Sequence, residues 1–203
     1  MSSGRLETFA DGVFAIAATL LILSVDGRVG GEGAQLGREL THAWPSYVAY
    51  AVSFVTIGIM WVNHHTLMAQ VGRVDRRFLL ATVVFLMCIA FIPFPTRLAA
   101  EHISGEGARE GALAYGFTLT VTAVMFSVIW FYASIGGRLL RHDADPRVVK
   151  GISRSYLPGP LIYLTSTLIA FASPAASLIL YLAIAGLYVL ESSLFGGRGS
   201  ADL

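Results

Sequence analysis

The sequence predicts an all-α membrane protein with six transmembrane helices per subunit, both termini cytoplasmic, in one six-helix domain spanning residues 1–203. Three observations predict it. Hydrophobic residues make up 55% of the 203-residue chain and charged residues only 13%, about half the charge of a soluble domain. Long runs free of Asp, Glu, Lys and Arg recur along the chain. The Lys and Arg residues between those runs fall mostly on one side of the implied membrane. Charge is balanced, with 14 Lys+Arg against 13 Asp+Glu, so nothing marks a polyanion binder and no nucleic-acid partner is expected. The lone cysteine, Cys88, excludes an internal disulfide framework and a multi-cysteine metal site.

A helix needs about 20 mostly apolar residues to cross a hydrocarbon core of about 30 Å. Residues 40–72, 78–96 and 111–137 are uncharged stretches of that order. The uncharged run 155–190 would form a helix of about 54 Å. Ser173-Pro174 lies in its middle, and proline breaks or starts helices, so the run divides into two spans. The first segment is different. Gly12–Val25 is too short an apolar run to cross unaided, roughly 21 Å of helix. Its helix must begin near Arg5, which carries Glu7 and Asp11 to the membrane boundary. The six spans are then 5–26, 44–68, 77–98, 112–135, 156–172 and 175–195. Ten basic residues, from Arg5 through the 73–77 and 138–154 loops to Arg198, lie on the N-terminal side. Only Arg28, Arg38, Arg97 and Arg109 lie opposite, so both termini are placed inside.

Between the spans, the Gly-rich stretch 27–42 reads as a flexible external loop. Pro93-Phe94-Pro95-Thr96 reads as a helix stop. Trp44, Tyr47, Trp130 and Tyr132 stand near span ends, where interfacial anchors stand.

The first span begins, and the second ends, on the cytoplasmic side. Arg5, Glu7 and Asp11 therefore share one layer with Trp61, Asn63, His64 and His65. These groups can satisfy one another where each alone would be costly. They read either as a structural network fixing the first helix against the second, or as a proton-relay or ion-binding site. A metal site is not expected, because adjacent His64 and His65 point about 100° apart on a helix. Farther along the first helix, Ile16, Leu20 and Leu23 fall in one sector of about 60°, with Thr19 at its edge. Such an aliphatic stripe can face lipid, a protein core or a pore gated by dewetting. No TVGYG filter, Arg ladder, HExxH, GxSxG or phosphate-loop pattern is present, so neither an enzyme nor a carbonyl-ring filter is expected, and no cofactor is called for.

Arg5-Leu6-Glu7-Thr8-Phe9-Ala10-Asp11 resembles the RxxxFSD signature that opens the first helix of the endolysosomal potassium channel family of transmembrane protein 175 type. Trp61-Val62-Asn63-His64-His65 on the second span and Pro93-Phe94 on the third also resemble that family. The resemblance implies a potassium-permeable, modestly selective cation channel without a P-loop filter, a homotetramer whose first helices line the pore. Carried over, the aliphatic constriction is Ile16, Leu20 and Leu23, and Thr19 matches a position linked to selectivity. Arg5, Phe9, Asp11, Trp61, Asn63, His64 and His65 match the signature network. Ala10 stands where the family carries serine, which removes one hydroxyl from that network. The implied partners are potassium ions and the lipid bilayer. The rival reading is a proton-coupled transporter using Asp11, His64 and His65. Thirteen of the 14 basic residues are Arg, which suggests a GC-rich bacterial source and a multi-pass protein of the plasma membrane.

Overall fold

A computed structural model describes residues 3–25, 34–103 and 105–195. Arg28, Arg198 and the first part of the expected 27–42 loop lie outside the described residues. Nine α-helices are described. The first, α1 (Ser3–Leu20), tightens into a 3-10 turn at Leu21–Ser24. Together they run 22 residues, about 33 Å. Leu6, Ala10, Phe14, Ala17 and Leu21 are buried. That is a single stripe at helical spacing, so α1 rests on the rest of the subunit along one side only.

α2 (Ala34–His42) corrects the expected loop. Its sequence AQLGRELTH is rich in helix formers, and this outweighs the single Gly37. α3 (Trp44–Gln70) carries Pro45 in its first turn, where a missing N–H costs nothing. α4 (Arg76–Phe91) is capped by Asp75, whose carboxylate accepts the Phe78 N–H at 2.8 Å. The Asp75 carboxyl is held below the usual carboxylate range, chiefly by that N–H and next by the Tyr132 hydroxyl at 2.7 Å.

Pro93 does not stop the third span. Ile92 keeps right-handed helical angles, and α5 (Pro93–Glu101) follows at once. The Ile92 carbonyl accepts both the Thr96 N–H and the Thr96 hydroxyl. Pro93 has no N–H to give the Ile89 carbonyl, and that carbonyl accepts the Ile92 N–H at 3.1 Å instead, a local adjustment that membrane helices tolerate. Arg76–Glu101 is therefore one span of 26 residues. α6 (Ala108–Ser134) is the hub of the bundle and packs against α4, α5, α8 and α9.

The expected fifth span is shorter than 156–172. α7 (Pro146–Tyr156) is a basic amphipathic helix capped by Asp145. Leu157-Pro158 separates it from α8 (Gly159–Ile169), which has 11 residues, about 17 Å. Pro158 and Pro160 start a new helix rather than continue α7. The turn at Ser173 then forms as expected, with the Ser173 hydroxyl accepting the Ala176 N–H, and leads into α9 (Pro174–Phe195). Among the described residues, four segments are long and apolar enough to cross a membrane: Ser3–Ser24, Trp44–Gln70, Arg76–Glu101 and Ala108–Gly137.

Trp130 is not an interfacial anchor. It is fully buried beneath α7, and its indole N–H donates to the Ser153 hydroxyl at 2.9 Å. Trp44, by contrast, is exposed.

Candidate functional site

α1 presents two unlike faces. Along one, Phe9, Ile16, Leu20 and Leu23 stand exposed, Ile16 at 61% and Leu23 at 67%. Arg5, Gly12 and Thr19 are exposed on or beside the same stripe. The subunit covers none of it. The Thr19 hydroxyl donates to the Ile16 carbonyl at 2.9 Å. Its proton is thereby committed, and its free lone pairs are left among the aliphatic side chains. A cation can use such an oxygen, whereas an anion gains nothing from it.

Asp11 projects from another flank of α1. Its carboxylate accepts the Trp61 indole N–H at 2.8 Å, so the expected meeting of the two separated motifs occurs between these residues. A turn away, His65 is exposed, with its ring 6.3 Å from the Trp61 ring. His64 points about 100° away from His65 and is only 2% exposed. Its ring stacks on Phe85 at 5.8 Å and 12°, with Phe14 at 5.7 Å. Among the described residues its Nε2 has no hydrogen-bond partner, a penalty of about 1–3 kcal/mol for a buried polar atom.

Not every expected member joins this network. Asn63 is half-buried on another side of α3, and its backbone carbonyl accepts the Tyr156 hydroxyl at 3.3 Å. Among the described residues no side-chain partner reaches Arg5 or Glu7 within the subunit. Ala10 is fully buried, so its methyl group fills a packed position where a serine hydroxyl would need a partner.

Sequence reading missed the aromatic ladder around His64. Phe14 on α1, His64 on α3, Phe85 on α4, Phe126 on α6 and Tyr156 on α7 follow one another at ring distances of 4.7–5.8 Å, and Trp130 caps the series at 5.9 Å. The arrangement ties α1 to α7 through ring contacts, stacked at His64–Phe85 and tilted or edge-to-face elsewhere, with a polar imidazole as its second rung. The available signal was Phe14 falling four residues after Ala10 on the face opposite the aliphatic stripe.

Residues 5–93 match the family described as endosomal/lysosomal potassium channel TMEM175. A potassium channel of Chamaesiphon minutus is 38% identical over 193 residues, covering 94% of this chain and 95% of the relative. A potassium channel of Streptomyces collinus is 39% identical over 178 residues, covering 87% and 86%. The endosomal/lysosomal proton channel TMEM175 of Gallus gallus is 34% identical over 151 residues, which is 70% of this chain and 30% of that longer protein. The fold is similar to the crystal structure of a lysosomal potassium-selective channel TMEM175 homolog from Chamaesiphon minutus, with a TM-score of 0.83 over 94% of this chain and 97% of that one, at 34% identity. Motif, layout and full-length similarity agree: the chain belongs to the TMEM175 family of membrane channels.

Proposed function

We propose that the protein is a potassium-permeable, modestly selective cation channel, assembled as a homotetramer with four copies of α1 around a central axis. The observation that carries this is the exposed aliphatic stripe of α1. Ile16, Leu20 and Leu23 are left uncovered by their own subunit, beside a hydroxyl oxygen at Thr19. Two bacterial relatives that match nearly end to end are named potassium channels. In this reading the ring of Ile16 side chains is the narrowest point, with Leu20 and Leu23 beyond it. Ions pass partly hydrated, and a ring that loses its water closes the path. Discrimination between cations is set by the cost of partial dehydration and by the Thr19 oxygens.

The Asp11–Trp61 bond holds α1 against α3 from the flank and so fixes the angle at which the stripe meets the axis. Six spans place both termini in the cytoplasm of a bacterial cell, with α8 and α9 as the short fifth and full sixth. The whole chain forms one channel unit. Purified protein in liposomes, with an outward potassium gradient and a potential-sensitive dye, tests this: the gradient is expected to collapse at neutral pH without an added cofactor. Failure to collapse at any pH contradicts it.

One observation favours a second reading, proton-coupled transport through Asp11, His64 and His65. His64 is a buried imidazole with an unpartnered nitrogen, one helical turn from the Trp61 that bonds Asp11, and the avian relative is named a proton channel. Flux that saturates and follows the proton gradient rather than the potassium gradient supports this alternative.

A further inference from the structure

At the end of the bundle that holds Trp44, Ile103 and Pro174, a cavity of about 410 Å³ opens between α3, α5, α6 and α9. Its walls are apolar, among them Val48, Val52, Ala99, Leu178 and Leu182. Its floor is polar. Ser53, Thr96, Tyr115 and Tyr181 line it, each at most 3% exposed. A large apolar chamber with a few convergent polar atoms is the ordinary form of a small-molecule site.

The hydroxyls of that floor fix the kind of ligand. A carbonyl only accepts, so the 2.9 Å contact from the Thr96 hydroxyl to the Ile92 carbonyl uses the Thr96 proton. Ser53 lies 2.9 Å from Thr96 and therefore donates to it. Tyr115 lies 3.0 Å from Ser53 and in turn donates to Ser53. A second relay joins α9 to α8. Thr167 donates to the Tyr163 carbonyl at 2.8 Å, and the Tyr181 hydroxyl spends its one proton on Thr167 at 2.8 Å or on the same carbonyl at 3.3 Å. All these protons are committed, while the oxygens of Ser53, Tyr115 and Tyr181 keep acceptor capacity. The floor thus offers lone pairs and no free donor. A carboxylate, phosphate or ketone brings only further lone pairs and is disfavoured. A hydroxyl group is favoured, and the apolar walls require the rest of the ligand to be hydrocarbon.

We propose that this cavity binds a neutral single-chain amphiphile through its one hydroxyl donor, a medium-chain alcohol being the simplest member of the class. The hydroxyl donates to Ser53 or Tyr115, and the chain lies between α3 and α9 toward Trp44. The site is on the side of the subunit away from the Asp11–Trp61 bond, and the proposal does not depend on ion permeation.

Photolabelling of the intact, assembled protein with octan-1-ol carrying a diazirine on its chain tests it. Adducts are expected on Val52, Leu178 or Leu182, displaced by decan-1-ol. Decyl methyl ether keeps the chain but lacks the donor, and should compete about two- to tenfold more weakly, the worth of one hydrogen bond. Val48→Trp fills the cavity from an exposed wall position and should abolish those adducts; Ala175→Phe is the second filling variant, and both should elute at the wild-type volume. Equal competition by the ether overturns the proposal in favour of a purely apolar occupant. Absence of adducts on the cavity walls overturns it as well, whether another copy seals the site or nothing enters. So do adducts that persist in both well-folded filling variants.

Discussion

The contact between Trp61 and Asp11 is the joint between the first helix and the rest of the subunit, and its strength can be worked from its geometry. The indole N–H reaches the carboxylate oxygen at 2.8 Å, and both side chains are exposed in the subunit. A hydrogen bond to a charged acceptor contributes about 1.5–3 kcal/mol net, and exposure places this one at the lower end. The expected coupling is therefore about 1.5 kcal/mol, about tenfold in an equilibrium constant. Trp61→Phe keeps an aromatic ring facing His65 and removes only the donor, while Asp11→Ala removes the acceptor. The two variants and their combination form a double-mutant cycle read by reversible unfolding in mixed micelles. Each single variant should lose stability, and the double variant should lose about 1.5 kcal/mol less than their sum. Additivity within about 0.5 kcal/mol would show that the two residues do not couple and would refute α1 being held from this flank.

Further outcomes follow from other parts of the molecule. Ile16→Ala should raise potassium flux in proteoliposomes several-fold and weaken discrimination against sodium; unchanged flux and selectivity would move the constriction elsewhere. Gly116→Ala should destabilise the bundle by about 1–3 kcal/mol, measured by thermal unfolding. An added Cβ there would collide with the Tyr181 hydroxyl and lie 2.7 Å from the Thr167 hydroxyl. Asp75 gives an acid limit. Its carboxyl is held below its ordinary 3.8 by the Phe78 N–H first, then by Tyr132 and Arg138. The stability it contributes is therefore complete above about pH 4 and lost as pH falls through the lower folded value. Asp75→Asn should flatten the pH dependence of unfolding below pH 4 and leave its shape at neutral pH unchanged.

Much of this architecture was legible because the membrane is a demanding solvent. Charge-free runs placed four spans within a few residues of Ser3–Ser24, Trp44–Gln70, Arg76–Glu101 and Ala108–Gly137. Topology alone brought Asp11 and Trp61 to one depth. The remainder was hidden for a physical reason. In a membrane helix the lipid-facing and buried sides are equally apolar, so hydropathy does not say which side packs. Trp130 therefore read as an anchor although α7 covers it, and the ladder from Phe14 through His64 to Tyr156 left no periodic mark. Pro93 was read by its usual effect in water; at the junction, the Ile92 N–H pairs the Ile89 carbonyl that the proline cannot reach. The end of α7 was obscured by an uncharged run that continues unbroken into α8.

The most direct test of the central claim is whether water-borne ions meet α1 at Ile16. With Cys88 replaced by alanine and Ile16→Cys introduced, potassium flux through reconstituted protein would be followed while a small cationic thiol reagent is added from the aqueous side. A pore lined by α1 predicts that the reagent blocks flux through this variant and leaves the cysteine-free protein unaffected. Uninhibited flux, with the cysteine shown by mass spectrometry either modified or unreacted, would contradict a constriction at Ile16.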